Sequence, residues 1–251
     1  MLSNQKEQIS KLLKGIETGD PASVSVVNET KYIQHNLQSE GLTELFKRPS
    51  KTSPRVNIVR VFEDGHYVFA HTEYDFATRN IAFEIFRFEK GQAVEHWDNN
   101  QKRKGPNNSG HSMVDGVTEA TDHECTESNR SLIKSFVEDI LIQGDLDKSY
   151  DYISQDHYTE HKLCMGDDLS RLKSVLSDYN SGSFTSVEYK KYHRLLAEGN
   201  FVLSVCDGYA KQIYSSFFDL YRVKDGKIVG HWDTTEEIPP RSEWKNNNGK
   251  F

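Results

Sequence analysis

Hydrophobic residues along the chain follow two periodicities, which alternate in the same order twice. A first run has the spacing of one helix face and comprises Ile9, Leu12, Leu13 and Ile16. A second run of the same kind comprises Ile133, Phe136, Val137, Ile140 and Leu141. After each run, apolar and polar residues alternate as they do in half-buried strands. Helices followed by an antiparallel sheet are typical of the α+β class, so we expect two α+β units.

Two further features complete this pattern in each half. Apolar positions at 42–46 and 169–176 predict one more short helix per unit. Glycine-containing turns at 89–91 and 224–226 predict hairpins between neighbouring strands.

One segment of the chain recurs with the same pattern of residues. Residues 83–98 read FEIFRFEKGQAVEHWD, and residues 218–233 read FDLYRVKDGKIVGHWD. Earlier in each half, YIQH at 32–35 matches YTEH at 158–161. Landmarks that recur in the same order indicate a duplicated domain. We predict a first domain over residues 1–104, a linker over 105–123, a second domain over 124–242 and a frayed tail over 243–251.

Composition narrows the function classes. With 35% hydrophobic and 27% charged residues, the chain suits a soluble globular protein. A net charge of −7 argues against a nucleic-acid partner, because phosphate binding needs clustered Lys and Arg. No apolar run approaches the roughly 20 residues that span a bilayer, so no membrane partner is expected. The N-terminal segment lacks the apolar core of a signal peptide, which predicts a cytoplasmic location.

Neither a metal nor a cofactor is expected from the sequence. The three cysteines do not show the paired spacing of a zinc site. Metal binding by His35, His71 and His96 is conceivable, but their spacing matches no metal motif.

Period-two alternation sorts the polar side chains of the recurring segment. His96 and Asp98 share one face of their strand. A three-residue turn at 89–91 would pair Glu84 with His96 and bring all three side chains together. A two-residue turn would instead pair Glu84 with Trp97. Local pattern alone leaves both registers open.

The pattern Glu84-Ile85-Phe86-Arg87-Phe88, with Gly91 and His96-Trp97-Asp98, resembles SnoaL-like polyketide cyclases of the NTF2-like superfamily. The segments YIQHN at 32–36 and GHSMVDG at 110–116 share this resemblance. It implies a cone-shaped domain in each copy, in which N-terminal helices and a curved antiparallel sheet enclose a pocket. It also favours the register that turns the acid and imidazole groups into that pocket.

More distantly, the acid position of this strand resembles the place of the oxyanion-binding aspartic acid of ketosteroid isomerase. The general-base position of that enzyme falls near Asn36 in the first copy and Lys162 in the second. Neither residue is a carboxylate, so the isomerase mechanism does not carry over unchanged.

The resemblance implies a cofactor-free cyclase or isomerase acting on a small apolar carbonyl compound by proton transfer. The candidate catalytic residues are Glu84, His96, Asp98, Asp219, His231 and Asp233. The candidate substrate-binding residues are His35, Asn36, His71, Phe86, His161 and Tyr221. The same acid and imidazole sets also suit a purely structural role, and the superfamily includes non-catalytic binding or assembly modules, which is the alternative.

The expected partners are a small apolar ligand and a second domain of the same kind. Because sheets of this fold often associate through their outer faces, a tandem copy predicts an intrachain pseudo-dimer. Further association into a homodimer stays open at this point.

Overall fold

The computed structural model of the protein describes residues 4–41, 54–76, 78–163, 165–168, 170, 173–174, 176 and 187–251. Contacts divide the chain into two compact units. The first unit comprises Met1–Arg103 together with Pro239–Phe251, and the second comprises Lys104–Ile238. The segment expected as a frayed tail, 243–251, therefore belongs to the first unit, and the segment expected as a linker, 105–123, belongs to the second.

The described part of the first unit contains one long helix and a five-stranded sheet. Its elements are α1 (Asn4–Thr18), a 3₁₀ turn (Pro21–Val26), β1 (Ile33–Gln34), β2 (Arg55–Asp64), β3 (Tyr67–Asp75), β4 (Arg79–Glu89) and β5 (Gln92–Lys102), with a 3₁₀ turn at Arg241–Glu243. The strands lie in the order β1-β5-β4-β3-β2. Strands β2 to β5 are antiparallel, whereas the two-residue β1 runs parallel to β5.

The second unit repeats this plan. Its elements are a 3₁₀ turn (His123–Cys125), α2 (Thr126–Phe136) continued by a π turn (Val137–Ile142), a 3₁₀ turn (Leu146–Lys148), α3 (Ser149–Tyr152), β6 (Thr159–Glu160), β7 (Val187–Glu198), β8 (Phe201–Ala210), β9 (Ile213–Lys224) and β10 (Lys227–Glu237). The order β6-β10-β9-β8-β7 is that of the first sheet. The α+β class and the duplication are thus confirmed, and each unit has the helix-then-sheet architecture that the resemblance implied. The sheets differ from a purely antiparallel one in their short parallel edge strands.

Most of the residues that were predicted to form one more short helix per unit lie outside the described part of the chain. Residues 42–46 lie outside the described residues, and 169–176 is described only in part.

The apolar helix faces read from the sequence form the cores. In the first unit Ile9 and Leu12 are buried in one cluster with Val68, Ala70 and Phe86 of the sheet. In the second unit the corresponding cluster joins helix and sheet residues, among them Ile133, Phe136, Ile140, Val202 and Tyr221. Burial of these apolar side chains is the main favourable term that holds each helix against its sheet.

Tight turns set the geometry of both central hairpins. Lys90 and Gly91 have φ of 52° and 81°, and Asp225 and Gly226 have φ of 50° and 71°. Two consecutive left-handed residues are the requirement of a type I′ turn, whose twist matches that of the flanking strands. The hairpin loop is therefore two residues long in both units.

Candidate functional site

A β-bulge beside each two-residue turn decides which side chains face the helices. In the first unit the register shifts between Arg87 and Phe88, so that Val94 has no partner on β4. Glu84 then pairs with Asp98, and His96 pairs with Phe86. Neither register considered from the sequence is correct in detail. The bulge nevertheless places Glu84, His96 and Asp98 on one face, because it restores the alternation that the short turn would have inverted.

The second unit contains the same bulge. Its register shifts between Ile228 and Gly230, which leaves Val229 unpaired. Asp219 pairs with Asp233, and Tyr221 pairs with His231. The face that carries Asp219, His231 and Asp233 is also the face of the apolar core beneath α2.

In the first unit the polar cluster centres on His96. Its Nε2 lies 2.6 Å from Glu84 Oε2, and its Nδ1 lies 3.1 Å from Gln34 Oε1. Tyr74 donates its hydroxyl to Glu84 Oε1 at 2.7 Å. The ring of His96 stacks on Phe86 with centroids 4.3 Å apart. The cluster is buried, and each of its polar groups named here has a protein partner.

In the second unit the cluster centres on His231. Its Nε2 lies 3.0 Å from Asp219 Oδ1, and its Nδ1 lies 2.8 Å from Glu160 Oε1. Tyr158 donates to Glu160 Oε2 at 2.6 Å, and Tyr189 donates to both oxygens of Asp219 at 3.2 Å. A carboxylate on each side of one imidazole favours the imidazolium form.

The electrostatics of the second cluster follow from these contacts. Burial opposes the charge of His231, yet Glu160 and Asp219 raise the pKa of its imidazole to about 10. Burial also opposes ionisation of Glu160, but His231 and Tyr158 hold the pKa of this carboxyl below its usual range. Burial and the neighbouring carboxylates raise the pKa of Tyr158 and of Tyr189 well above that of an ordinary phenol, so both remain donors.

Asp98 in the first unit and Asp233 in the second occupy matching positions but have different partners. Asp233, which is buried, forms an ion pair with the ammonium of the half-buried Lys162. Although burial opposes the charge of Lys162, Asp233 and Asp219 raise the pKa of its ammonium. In the first unit Asn36 occupies the position of Lys162 and donates its amide to Asp98 Oδ2 at 2.6 Å. The two sites are therefore chemically unequal.

A cavity in the second unit lies against this cluster. Its volume is about 30 Å³, enough for one or two waters. The lining is mostly apolar and comprises Phe136, Leu141, Ile153, Met165, Leu176, Val187 and Ile228, together with Tyr158, Lys162, Tyr189, Tyr221 and His231. An apolar hollow with a few convergent polar groups is the usual form of a small-molecule site.

Three histidines expected near a substrate lie elsewhere. His35 and His161 stack on Trp97 and Trp232, with ring centroids 4.6 Å and 4.5 Å apart. They lie on the other side of the sheet from His96 and His231. Gln34 pairs with His96 and Glu160 pairs with His231, so the residues that follow, His35 and His161, face the opposite side. His71 pairs with Phe83, on the face opposite Glu84, so it does not join the first cluster.

The contacts of these histidines explain their burial. His35 Nε2 lies 2.9 Å from Glu95 Oε1. His71 Nδ1 lies 3.0 Å from Arg60 Nη1, and its ring stacks on Phe83. These are structural partners on the tryptophan side of the sheet. Of the candidate binding residues, Asn36 and Phe86 contact the first cluster and Tyr221 lines the second cavity.

Sequence reasoning missed the residues that complete the clusters. Gln34 and Glu160 were overlooked in favour of the histidines that follow them. Alternation along the strand could have identified them, because Gln34 shares a face with Tyr32 and Glu160 shares a face with Tyr158. The contributions of Tyr74 and Tyr189 had no such signal, because they come from non-equivalent strands, β3 and β7.

One group of side chains in the described part of the chain has the composition of a metal site. His111, Asp115 and His161 of the second unit place one potential ligand atom each within 4.8 Å of one another. His161 Nδ1 also lies 2.9 Å from the carbonyl oxygen of Ser112, and His111 Nε2 lies 3.3 Å from Asp167 Oδ2. The group lies on the tryptophan side of the sheet, away from the acid and imidazole cluster.

Solved structures similar to this chain are small proteins that each match less than half of it. TsrD from Streptomyces laurentii is 15% identical, with a TM-score of 0.35; the match covers 40% of this chain and 92% of TsrD. A SnoaL-like polyketide cyclase from Agrobacterium tumefaciens is 10% identical, with a TM-score of 0.35, over 43% of this chain and 91% of the cyclase.

A third similar structure is an LEH-like epoxide hydrolase from M. tuberculosis. It is 19% identical, with a TM-score of 0.34, over 44% of this chain and 84% of the hydrolase. These likenesses concern fold. No protein-family model matches the sequence, and no curated protein does. Among the described residues, no helix is long and apolar enough to cross a membrane.

Proposed function

We propose that the protein is a cofactor-free proton-transfer enzyme of the cyclase or isomerase type, whose second unit acts on a small apolar carbonyl compound. The observation that carries this proposal is the cavity wall, where Lys162 and His231 interrupt an apolar lining. The pKa of each is raised by neighbouring carboxylates, so both are cationic at neutral pH. Fixed cations in apolar surroundings stabilise an oxygen that gains negative charge during a reaction. An enolate oxygen is such a group.

Asp233 is the base in this proposal. Burial and the nearby Asp219 raise the pKa of its carboxyl above the usual value. A raised pKa suits a carboxylate that must both take and return a proton near neutral pH. Its pairing with Lys162 places the base next to the cation that would stabilise the enolate.

The proposed step is balanced without a cofactor. A C–H bond beside the substrate carbonyl breaks, its proton moves to Asp233, and its electron pair moves to the carbonyl oxygen near the Lys162 ammonium. Return of the proton to another carbon shifts a double bond. Attack of the enolate carbon on a second carbonyl forms a ring instead, and the proton then passes to the new alkoxide.

The remaining polar residues position these groups. Asp219 accepts hydrogen bonds from His231 and Tyr189, so we assign it to orienting the imidazole and not to donating a proton. Glu160 fixes the other side of the ring. In the first unit Glu84, His96 and Asp98 form the matching set, which we propose as a second and chemically distinct site.

A non-catalytic binding module is the second candidate, and two observations favour it. Every titratable side chain of the second cluster already has a protein partner. The cavity of about 30 Å³ is also small, so a ligand of several carbon atoms requires the lining to move. A polar network satisfied in this way is what a purely structural or ligand-holding role requires.

Exchange of hydrogen for deuterium separates the two candidates without knowledge of the natural substrate. Small apolar ketones that bind the protein are incubated with it in D₂O, and deuterium beside the carbonyl is measured by NMR. The proposal predicts exchange about 100-fold or more above buffer, and strong loss in the folded variant Lys162→Met. Ketones that bind without enhanced exchange would leave the binding module as the correct function.

A further inference from the structure

Residues 245–251 pack against the rest of the first unit. Its contacts run along the segment that follows β1. Asn248 donates its amide to the carbonyl of Gln34 at 2.8 Å, and the carbonyl of Gly249 lies 2.8 Å from His35 Nδ1. The main-chain N–H of Lys245 donates to the carbonyl of Leu37 at 2.9 Å.

The next residue, Lys250, reaches the candidate site. Only 6% of its surface is exposed, and its ammonium donates to the main-chain carbonyl of Asp98 at 2.8 Å. The same Nζ lies 3.9 Å from Asp98 Oδ1, an oxygen with no hydrogen-bond donor among the described residues. A lysine is rarely buried to this extent without a charged partner, and Asp98 provides one.

A segment of the second unit has the same contacts with the segment that follows β6. Asn107 donates its amide to the carbonyl of Glu160 at 2.6 Å, as Asn248 does to Gln34. The carbonyl of Ser112 lies 2.9 Å from His161 Nδ1, as that of Gly249 does from His35. Each unit is therefore covered at the same place by an asparagine-containing segment.

Alignment on these contacts makes Met113 the counterpart of Lys250. Met113 follows Ser112, Lys250 follows Gly249, and both side chains are buried. The second unit thus combines Met113 with Lys162, whereas the first combines Lys250 with Asn36. Among the described residues, Lys162 is directed at Asp233 and Lys250 at Asp98, so the two units take this lysine from different parts of the sequence.

We propose that Lys250 is the site lysine of the first unit, the positioning residue that compensates Asp98 as Lys162 compensates Asp233. The first site is then complete only when residues 245–251 are docked. Without Lys250, the neutral amide of Asn36 is the one side-chain partner that the described residues offer Asp98, and a buried carboxylate without a cation is strongly disfavoured. This inference concerns charge placement and does not require that either site be catalytic.

The test gives the first unit the residues that the second unit has at the matching positions. Hydrogen-exchange mass spectrometry of the full chain measures amide protection in β5 and in residues 245–251. Lys250→Met should lower protection in both segments at least tenfold. The double variant Asn36→Lys/Lys250→Met rebuilds the arrangement of the second unit, and should return β5 to within threefold of wild type.

Lys245→Met is the matched control, because it removes the same charge from an exposed side chain of the same segment. It should leave both segments within twofold of wild type. If Lys250 only anchors the end of the chain, lysine at position 36 will not restore β5, and the proposal is wrong. Unchanged β5 protection in Lys250→Met would overturn it as well. Neither outcome depends on activity.

Discussion

His231 Nε2 lies 3.0 Å from Asp219 Oδ1 on the neighbouring strand of the second sheet. With Glu160 on the opposite ring nitrogen, this contact raises the pKa of His231 from 6.5 to about 10. A folded-state pKa above the unfolded one stabilises the fold fully below pH 6.5, and this contribution is lost as the pH rises toward 10. The buried imidazolium is thus a source of stability at neutral pH.

We therefore predict that the second unit loses stability between pH 6.5 and 10. The loss should be on the order of 4 kcal/mol in the free energy of unfolding. Urea titrations across this range, followed by tryptophan fluorescence in a Trp97→Phe/Trp244→Phe background that leaves Trp232 as the emitting residue, measure it. His231→Asn should flatten the dependence, whereas the exposed His123→Asn should leave it unchanged. Equal slopes in wild type and His231→Asn would show that the imidazole is not the titrating group.

Glu160→Gln should convert the second cluster into one like the first, where Gln34 accepts at the same imidazole position. Loss of one of the two carboxylates should lower the pKa of His231 by about 1–3 units while the unit stays folded. Histidine NMR titration measures the shift. The exposed Glu127→Gln is the control. A His231 pKa that stays near its wild-type value would mean that Asp219 alone holds the charge.

Insertion of one alanine between Val229 and Gly230 should destroy the second unit. Val229 is the residue without a partner in the bulge, and one more residue there shifts the rest of β10 by one position and turns His231 and Asp233 to the opposite face. Circular dichroism should show loss of cooperative unfolding for this unit. Deletion of Val229 is the control, because it leaves a regular ladder in which His231 still pairs with Tyr221, so the unit should stay folded. An insertion variant with wild-type stability would show that the register is not fixed by the bulge.

The duplication and the α+β class were readable from the sequence because they depend on periodicity and order. The shared face of Glu84, His96 and Asp98 was also anticipated, but from family resemblance and not from local geometry. The two-residue turn by itself points to the other register. A bulge of one residue reverses that outcome, and no local pattern marks the position of Val94 as unpaired.

Other parts of the site depend on contacts between distant segments. Lys250 follows a stretch rich in Asn and Gly, which by composition indicates a solvated tail. Its burial depends on Asp98, 152 positions earlier in the chain. The assignment of His35 and His161 to the pocket failed because one residue along a strand is a change of face. The predicted pseudo-dimer of the two units stays a prediction.

The most direct test of the proposed proton transfer is ketone exchange in D₂O by two matched aspartate variants. Asp233→Asn removes the proposed base, while Asp225→Asn makes the same chemical change in the exposed turn of the same hairpin. For a ketone that both variants bind as tightly as wild type does, we predict that Asp233→Asn loses about 100-fold or more of the exchange rate and Asp225→Asn less than threefold. Wild-type exchange by a folded Asp233→Asn protein would contradict the account.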